Sequence, residues 1–205
     1  MINLILSTMI TVTGCVAAEK TGPIEYYELA EQAVFNCKNR SANDIDITIV
    51  DKLIQIEKKY DVPSELRGMM LAAACAESGF NPNALGDRKF SKDGKTPRAV
   101  GLFQMWGWWS NPRYGYGIDR TDTEESGIAF MEHIVKQLKN TKKSCRYRTG
   151  ERQWIAAWVH AIRAPKQGGR CTERPKHLRI LRKWHRAIRD NRKDDIICQH
   201  EVVGC

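Results

Sequence analysis

Apolar positions recur along most of this chain at the three- and four-residue spacing of a helix face, and the alternation typical of strands is weak. We therefore predict a mainly α-helical protein. The six predicted helices cover residues 24–37, 45–60, 63–77, 123–138, 152–162 and 175–192. The predicted apolar faces of the first two helices consist of Tyr27, Ala30, Val34 and Cys37, and of Ile49, Leu53 and Ile56.

The third predicted helix is almost entirely apolar over residues 69–76 and then ends on Glu77, after which Gly79 and Pro82 stop it. A carboxylate beside a buried apolar stripe costs free energy unless its environment serves a purpose. The negative end of the helix macrodipole and the apolar neighbours both favour the protonated form, which is the form that a general acid requires. The alternative is an ordinary helix-end glutamate that turns to water.

Residues 83–118 interrupt the helical pattern. They are rich in Gly, Pro, Asn and Asp and show little periodicity. We expect a long loop with one short hairpin around Asp93-Gly94, because Asp-Gly is a strong signal for a hairpin turn.

The length of 205 residues and the hydrophobic content of 42% fit one globular domain. Residues 1–18 are predicted to be an export signal, with cleavage after Ala17 or Ala18, and 19–205 to be the mature domain. A lipobox at Cys15, which would be lipidated, is an alternative, and so is an N-terminal core helix. Export would place the protein in the periplasm, the cell envelope or the extracellular space.

Cysteine usage agrees with export. Apart from Cys15 there are six cysteines, an even number that suggests disulfides in an exported chain. A free buried thiol at Cys75 is the alternative for that residue. The predicted pairs are Cys37–Cys75, Cys145–Cys171 and Cys198–Cys205.

No metal site and no cofactor are predicted. The sequence contains no C-x-x-C pair, and its histidines lack ligand spacing with carboxylates or thiols. His177 and His185 fall in a basic helix, where we expect them to be solvated. His160 is expected to face a cleft.

Charge is segregated along the chain. Residues 1–140 carry 16 Lys or Arg against 18 Asp or Glu, whereas 141–205 carry 17 against 6. The basic C-terminal helical region from about 141 therefore suits an anionic wall or membrane surface and is expected to serve adhesion rather than chemistry. A solvated helix face without a specific partner is the alternative.

Two segments, AESGFNPNALGD at 76–87 and AVGLFQM at 99–105, resemble the lysozyme-like domain of soluble lytic transglycosylases and goose-type lysozymes. Residues 60–66 are also similar to the lead-in to the catalytic helix of that family, and the resemblance covers about 45–165. It implies a lysozyme-like helical domain with an active-site cleft, here with extra helices at both ends.

The resemblance implies roles for individual residues. Glu77 would be the catalytic acid/base, and Ser78 would orient it or contact the sugar. Gly101 would let the backbone approach the glycan, and Gln104 would hydrogen-bond in the cleft. Leu102 and Phe103, which lie between Gly101 and Gln104 in the sequence, are expected in the core.

Three features depart from the family pattern. Residues 88–98 lengthen a loop that is usually short. Aromatic residues follow Gln104, and of these Trp106 and Tyr114 are candidates to contact sugar rings. Trp158 replaces a tyrosine of the family and lacks its hydroxyl, but it remains a candidate for substrate binding.

The implied activity is cleavage of the β-1,4 bond between N-acetylmuramic acid and N-acetylglucosamine in peptidoglycan. In a lytic transglycosylase, Glu77 needs no second carboxylate and the product is a 1,6-anhydro sugar. A lysozyme-type hydrolase is the alternative, with a second carboxylate to activate water. The candidates for that carboxylate are Asp87 and Asp93 and, behind them, Asp119 and Asp122.

A third interpretation is a catalytically idle protein that binds glycan or another polyanion. Nucleic acid is not an expected partner, because export and disulfides separate the chain from most nucleic acid. A monomer is expected.

Overall fold

The structure is a computed structural model that describes residues 22–37, 45–144, 149–161 and 176–194. Several predictions lie outside the described residues. They are the export signal, the lipobox at Cys15, the pairs Cys145–Cys171 and Cys198–Cys205, and the side chain of His160.

The described residues are mainly α-helical with a small antiparallel sheet, as predicted. The six helices are α1 (Tyr26–Asn36), α2 (Ile47–Glu57), α3 (Met69–Ser78), α4 (Thr123–Ser144), α5 (Glu151–Ala161) and α6 (Lys176–Asp194). The three strands are β1 (Leu85–Gly86), β2 (Ala99–Val100) and β3 (Met105–Trp106). None of the described helices is both long and apolar enough to cross a membrane.

The sheet contains the predicted hairpin. Strand β1 pairs antiparallel with β2, with Leu85 opposite Val100, and the connecting loop includes Asp93-Gly94. Strand β3 adds to the other side of β2 and was not predicted. Strands of two residues are too short to leave an alternating pattern in the sequence.

Two details of the predicted helices are wrong. Tyr27 is 62% exposed, because α1 turns Leu29 and Ala33 to the core. Helix α3 begins at Met69 rather than near Pro63, because a short 3₁₀ turn precedes Gly68, whose φ of 84° is left-handed.

Helix α3 lies in the middle of the core. All eight of its residues from Met69 to Ala76 are buried, and α1, α2 and α6 pack against it. A disulfide joins Cys37, just after α1, to Cys75 in α3, so that this predicted pair is confirmed and the free thiol is excluded. The residues that follow Cys75 therefore start from a firmly held helix.

Glu57 holds the other end of α3. It is buried, and its carboxylate accepts hydrogen bonds from the backbone N–H groups of Gly68 at 2.6 Å and Met70 at 2.9 Å. The hydroxyl of Tyr26 donates a third bond at 3.2 Å. Burial nevertheless raises the pKa of Glu57 to about 7, because the loss of hydration outweighs these bonds.

Helix α6 is amphipathic, and its buried face includes both of its histidines. The prediction that His177 and His185 are solvated is therefore wrong. His185 Nε2 lies 2.9 Å from the carbonyl oxygen of Arg67, just before α3. Farther along, the guanidinium of Arg192 donates to both carboxylate oxygens of Glu28 in α1. The helix is thus held to the core along its length.

We expect the raised pKa of Glu57 to give a distinct pH dependence of stability. The native state keeps a proton that the unfolded chain, with a pKa near 4.5, releases. The stabilising contribution is therefore complete below pH 4.5 and is lost as the pH rises through about 7. Over that window the free energy of unfolding should fall by roughly 3 kcal/mol relative to Glu57→Gln.

Urea denaturation of the wild type and of Glu57→Gln between pH 4.5 and 7.5 measures this difference. Glu124→Gln, at an exposed position, is the matched control and should follow the wild type. A constant difference between the wild type and Glu57→Gln across the window would contradict the expectation.

Candidate functional site

Glu77 lies in the last turn of α3, where the core meets solvent. Its side chain is 31% exposed, although the preceding eight residues are buried. Ser78 donates from Oγ to the carbonyl oxygen of Ala74, and Gly79 ends the helix in the left-handed conformation. The carboxylate is therefore accessible but held on a rigid element, as the chemistry of a general acid requires.

His177, from α6, contacts Glu77 directly. Its Nε2 lies 2.6 Å from Oε1 of Glu77, and its side chain is 2% exposed. A contact this short requires one proton between the two atoms. The sequence interpretation missed this pair, yet the apolar spacing of Leu181, Trp184 and Ile188 indicates which face of the helix is buried, and His177 lies on it.

Trp158 supports the histidine from α5. Its ring is fully buried, with the centroid 5.7 Å from that of His177. A ring with no exposed face cannot stack on a sugar, so Trp158 has no direct contact surface for substrate in this conformation. Within the described part of the chain, neither Trp158 Nε1 nor His177 Nδ1 has a hydrogen-bond partner.

The two motifs that carry the family resemblance lie side by side. The carbonyl oxygen of Ala84, in the loop after Glu77, accepts from Gly101 N at 2.9 Å and from Gln104 Nε2 at 3.2 Å. Leu102 and Phe103 are buried, and the Phe103 ring stacks on that of Phe130 in α4. The loop after the glutamate is thereby anchored to the sheet and to the core, and the expected core role of these two residues is confirmed.

Gly101 and Gln104 shape the turn between β2 and β3. Gly101 has a φ of 83°, and a Cβ there would lie 1.9 Å from the carbonyl oxygen of Arg120. Glycine is therefore required here because the backbone of Arg120 packs closely against residue 101. The Gln104 amide also donates to the carbonyl oxygen of Gly101, and its Oε1 lies over Gly86.

Trp106 and Asp87 form a small cluster with the long loop. The indole N–H of Trp106 donates to Asp87 Oδ2 at 2.8 Å, and the guanidinium of Arg98 lies 5.1 Å from the ring centroid. The Phe90 ring lies 6.1 Å away. The Arg98 guanidinium thus covers one face of the Trp106 ring. The other aromatic candidate, Tyr114, is highly exposed.

The other candidate carboxylates have structural partners. Asp93 accepts from Ser91 Oγ and from the N–H groups of Lys95 and Thr96. Hydrogen bonds from Thr96 and its neighbours hold the pKa of Asp93 well below its usual range. Asp119 accepts from Thr121, and Asp122 caps the first turn of α4.

A concave region lies between Tyr60, Tyr116 and α4, away from Glu77. It has a volume of about 390 Å³, and Glu132, Lys136 and Lys139 contribute its charges. Next to it, the Tyr116 hydroxyl is 2.9 Å from Nδ1 of His133. Burial, with Lys136 nearby, lowers the pKa of His133 to about 4, so this histidine is neutral near pH 7.

Among the described residues, no group of three or more His, Cys, Asp or Glu side chains is arranged to hold a metal ion. Comparison of the chain with protein-family models, with curated proteins and with solved structures gives no match in any of the three.

Proposed function

We propose that the protein is a lytic transglycosylase that cleaves the β-1,4 bond between N-acetylmuramic acid and N-acetylglucosamine in peptidoglycan. The observation that carries the proposal is the position of Glu77. A partly exposed carboxylate ends a buried helix, and its Oε1 is 2.6 Å from a buried imidazole. Such an environment suits a group that exchanges protons with a substrate.

The fold is consistent with this proposal. A helical body with a three-stranded antiparallel sheet fits the lysozyme-like domain that the motifs imply, and the sheet follows the helix of Glu77. The two motifs meet at Ala84, as parts of one cleft would. Ser78, Gln104, Trp106 and Tyr114 remain the proposed substrate-binding residues around that cleft, whereas Gly101 is proposed to shape the turn that carries Gln104.

In the proposed reaction, Glu77 donates its proton to the glycosidic oxygen as the bond to the muramic acid carbon breaks. The N-acetylglucosamine side leaves as an alcohol, and an oxocarbenium-like centre develops on the other sugar. Glu77, now a carboxylate, accepts the proton of that sugar's own 6-hydroxyl while its oxygen bonds to the anomeric carbon. The product is a 1,6-anhydro end, and no water is consumed.

The disulfide favours an exported protein, because such bonds persist in oxidising compartments. Peptidoglycan lies in those compartments. A lysozyme-type hydrolase is the second candidate, and Asp87 is the carboxylate to consider for it. Asp87 belongs to the same sheet region as Gln104 and Trp106, whereas both oxygens of Asp93 accept bonds within its own loop.

We expect Glu77→Gln to fold normally and to lose nearly all cleavage. The amide matches the carboxyl group in size but has no acidic proton, and general acid–base catalysis is worth about 10²–10⁴-fold. The measurement is release of soluble fragments from purified peptidoglycan, with Glu124→Gln as the control. A folded Glu77→Gln variant that cleaves at the wild-type rate would refute the site, and an inactive wild type would favour a glycan-binding role.

The products should carry 1,6-anhydro ends. Mass spectrometry of digested peptidoglycan distinguishes them, because an anhydro end is lighter than a reducing end by one water. Asp87→Asn should leave the product pattern unchanged. If the products carry only reducing ends, the protein is a hydrolase, and loss of activity in Asp87→Asn would then identify the second carboxylate.

The exposed face of α6 provides a candidate surface for the anionic wall. Helix α6 contains eight Lys or Arg and two Asp. The exposed basic residues are Arg179, Arg182, Lys183, Arg186 and Arg189. We propose that this cationic face holds the enzyme on its polymer.

Reversing the charge at Arg182, Arg186 and Arg189 should weaken binding to intact cell wall and leave cleavage of short soluble glycans unchanged. Binding of the wild type should fall with added salt, because electrostatic screening acts over about 8 Å at physiological ionic strength. Cosedimentation with purified wall measures the binding of the wild type and of the variant, and its dependence on salt. The control reverses three exposed lysines outside the basic C-terminal region, Lys52, Lys58 and Lys59. Equal losses in the two triple variants, or salt-independent binding, would contradict a specific role of α6.

A further inference from the structure

We propose that His177 is a positioning residue for Glu77, so that α6 is part of the catalytic centre as well as a binding surface. The inference rests on the proposed function and names a residue outside the segment that carries the family resemblance, about 45–165. The expectation that the basic C-terminal region serves adhesion rather than chemistry is thereby revised.

The contact involves one particular oxygen of the Glu77 carboxyl group. His177 Nε2 lies 2.6 Å from one oxygen of Glu77, Oε1, and the imidazole is buried whereas the carboxyl group is 31% exposed. A buried ring packed against Trp158 has little freedom to turn. It therefore fixes the orientation of the carboxyl group and leaves the exposed part of Glu77 toward solvent, where a substrate would approach.

The contact also supplies a partner for the charged form of Glu77. The C-terminal end of the α3 dipole is negative and disfavours a charged Glu77. Helix α6 begins at Lys176, and the positive N-terminal end of its dipole lies beside Glu77. An imidazole N–H that donates to the carboxylate adds to that stabilisation. The proposed reaction needs Glu77 in both states, first as an acid and then as a base. With the His177 N–H donating to Oε1, the proton that Glu77 gives to the substrate is carried by its other oxygen, Oε2, so the contact and the reaction do not compete for one proton.

The rest of α6 holds His177 at this position. Leu178, Leu181, Trp184 and Ile188 are buried, His185 contacts the carbonyl oxygen of Arg67, and Arg192 binds Glu28 at the far end. A shift of this helix along α3 would separate the imidazole from Glu77. The hydrogen bond is therefore preorganised by packing, and substrate binding need not create it.

The test compares His177→Gln with His177→Asn. The glutamine amide reaches about as far as Nε2, whereas the asparagine amide is one methylene shorter and cannot reach Glu77. We expect His177→Asn to lower kcat on soluble glycan oligomers about ten- to a hundredfold, with KM nearly unchanged, because charge-assisted hydrogen bonds of this type have that worth. His177→Gln should retain most of the activity.

The same pair of substitutions at His185 is the matched control. His185 lies in the same helix, is also buried and also makes a hydrogen bond through Nε2, but its partner is the backbone at Arg67. His185→Asn should lower the melting temperature and leave kcat within about twofold at temperatures where the variant is folded. Equal kcat losses in His177→Asn and His185→Asn, equal losses in His177→Gln and His177→Asn, or wild-type kcat in His177→Asn would each overturn the inference.

A measurement independent of activity covers the case in which His177→Asn does not fold. In ¹⁵N-labelled protein, Glu77→Gln should shift the ring-nitrogen resonances of His177 and leave those of His185 in place. Unchanged His177 resonances would overturn the inference. Failure of the proposed function gives a different result. The wild type would then release no fragments from peptidoglycan, while Glu77→Gln would still shift the His177 resonances.

Discussion

The structure depends on the burial of α3 from Met69 to Ala76. A helix that presents apolar residues on every side cannot lie at a surface, so α1, α2 and α6 enclose it. Burial leaves the free backbone groups at its two ends without water, and these must find partners in the protein. Glu57 supplies acceptors at the start of the helix, and Gly79 ends it in a left-handed turn. The site is built on the second of these ends.

The same burial explains why Glu77 has unusual surroundings. The last turn of a core helix necessarily lies among the elements that enclose the helix, and here the first turn of α6 meets it. His177 is thus brought to Glu77 across one hundred residues of sequence. The loop after α3 leads to the small sheet, where Gly101 and Gln104 hold it in place. Glu77 is therefore held on a rigid helix end beside an anchored loop.

The sequence predicted much of this because local patterns dominate in helices. Apolar spacing located the helices, the position of Gly79 located the end of α3, and Asp93-Gly94 located the hairpin. The predicted disulfide Cys37–Cys75 is present. The contact between His177 and Glu77 does not follow from the charge of α6, which predicts solvated histidines, although the apolar spacing of Leu181, Trp184 and Ile188 places His177 on the buried face. The role of Glu57 depends on backbone groups of another segment, which no side-chain pattern reveals.

We propose that Glu77 acts on a glycan bound beside it. A crystal structure of Glu77→Gln with a peptidoglycan oligosaccharide tests it most directly. We expect a glycosidic oxygen within about 3 Å of the residue 77 side chain, with sugar rings near Gln104 and the His177 contact retained. Glycan found only in the concave region lined by Tyr60, Tyr116 and Lys136, with none at residue 77, would contradict this role of Glu77.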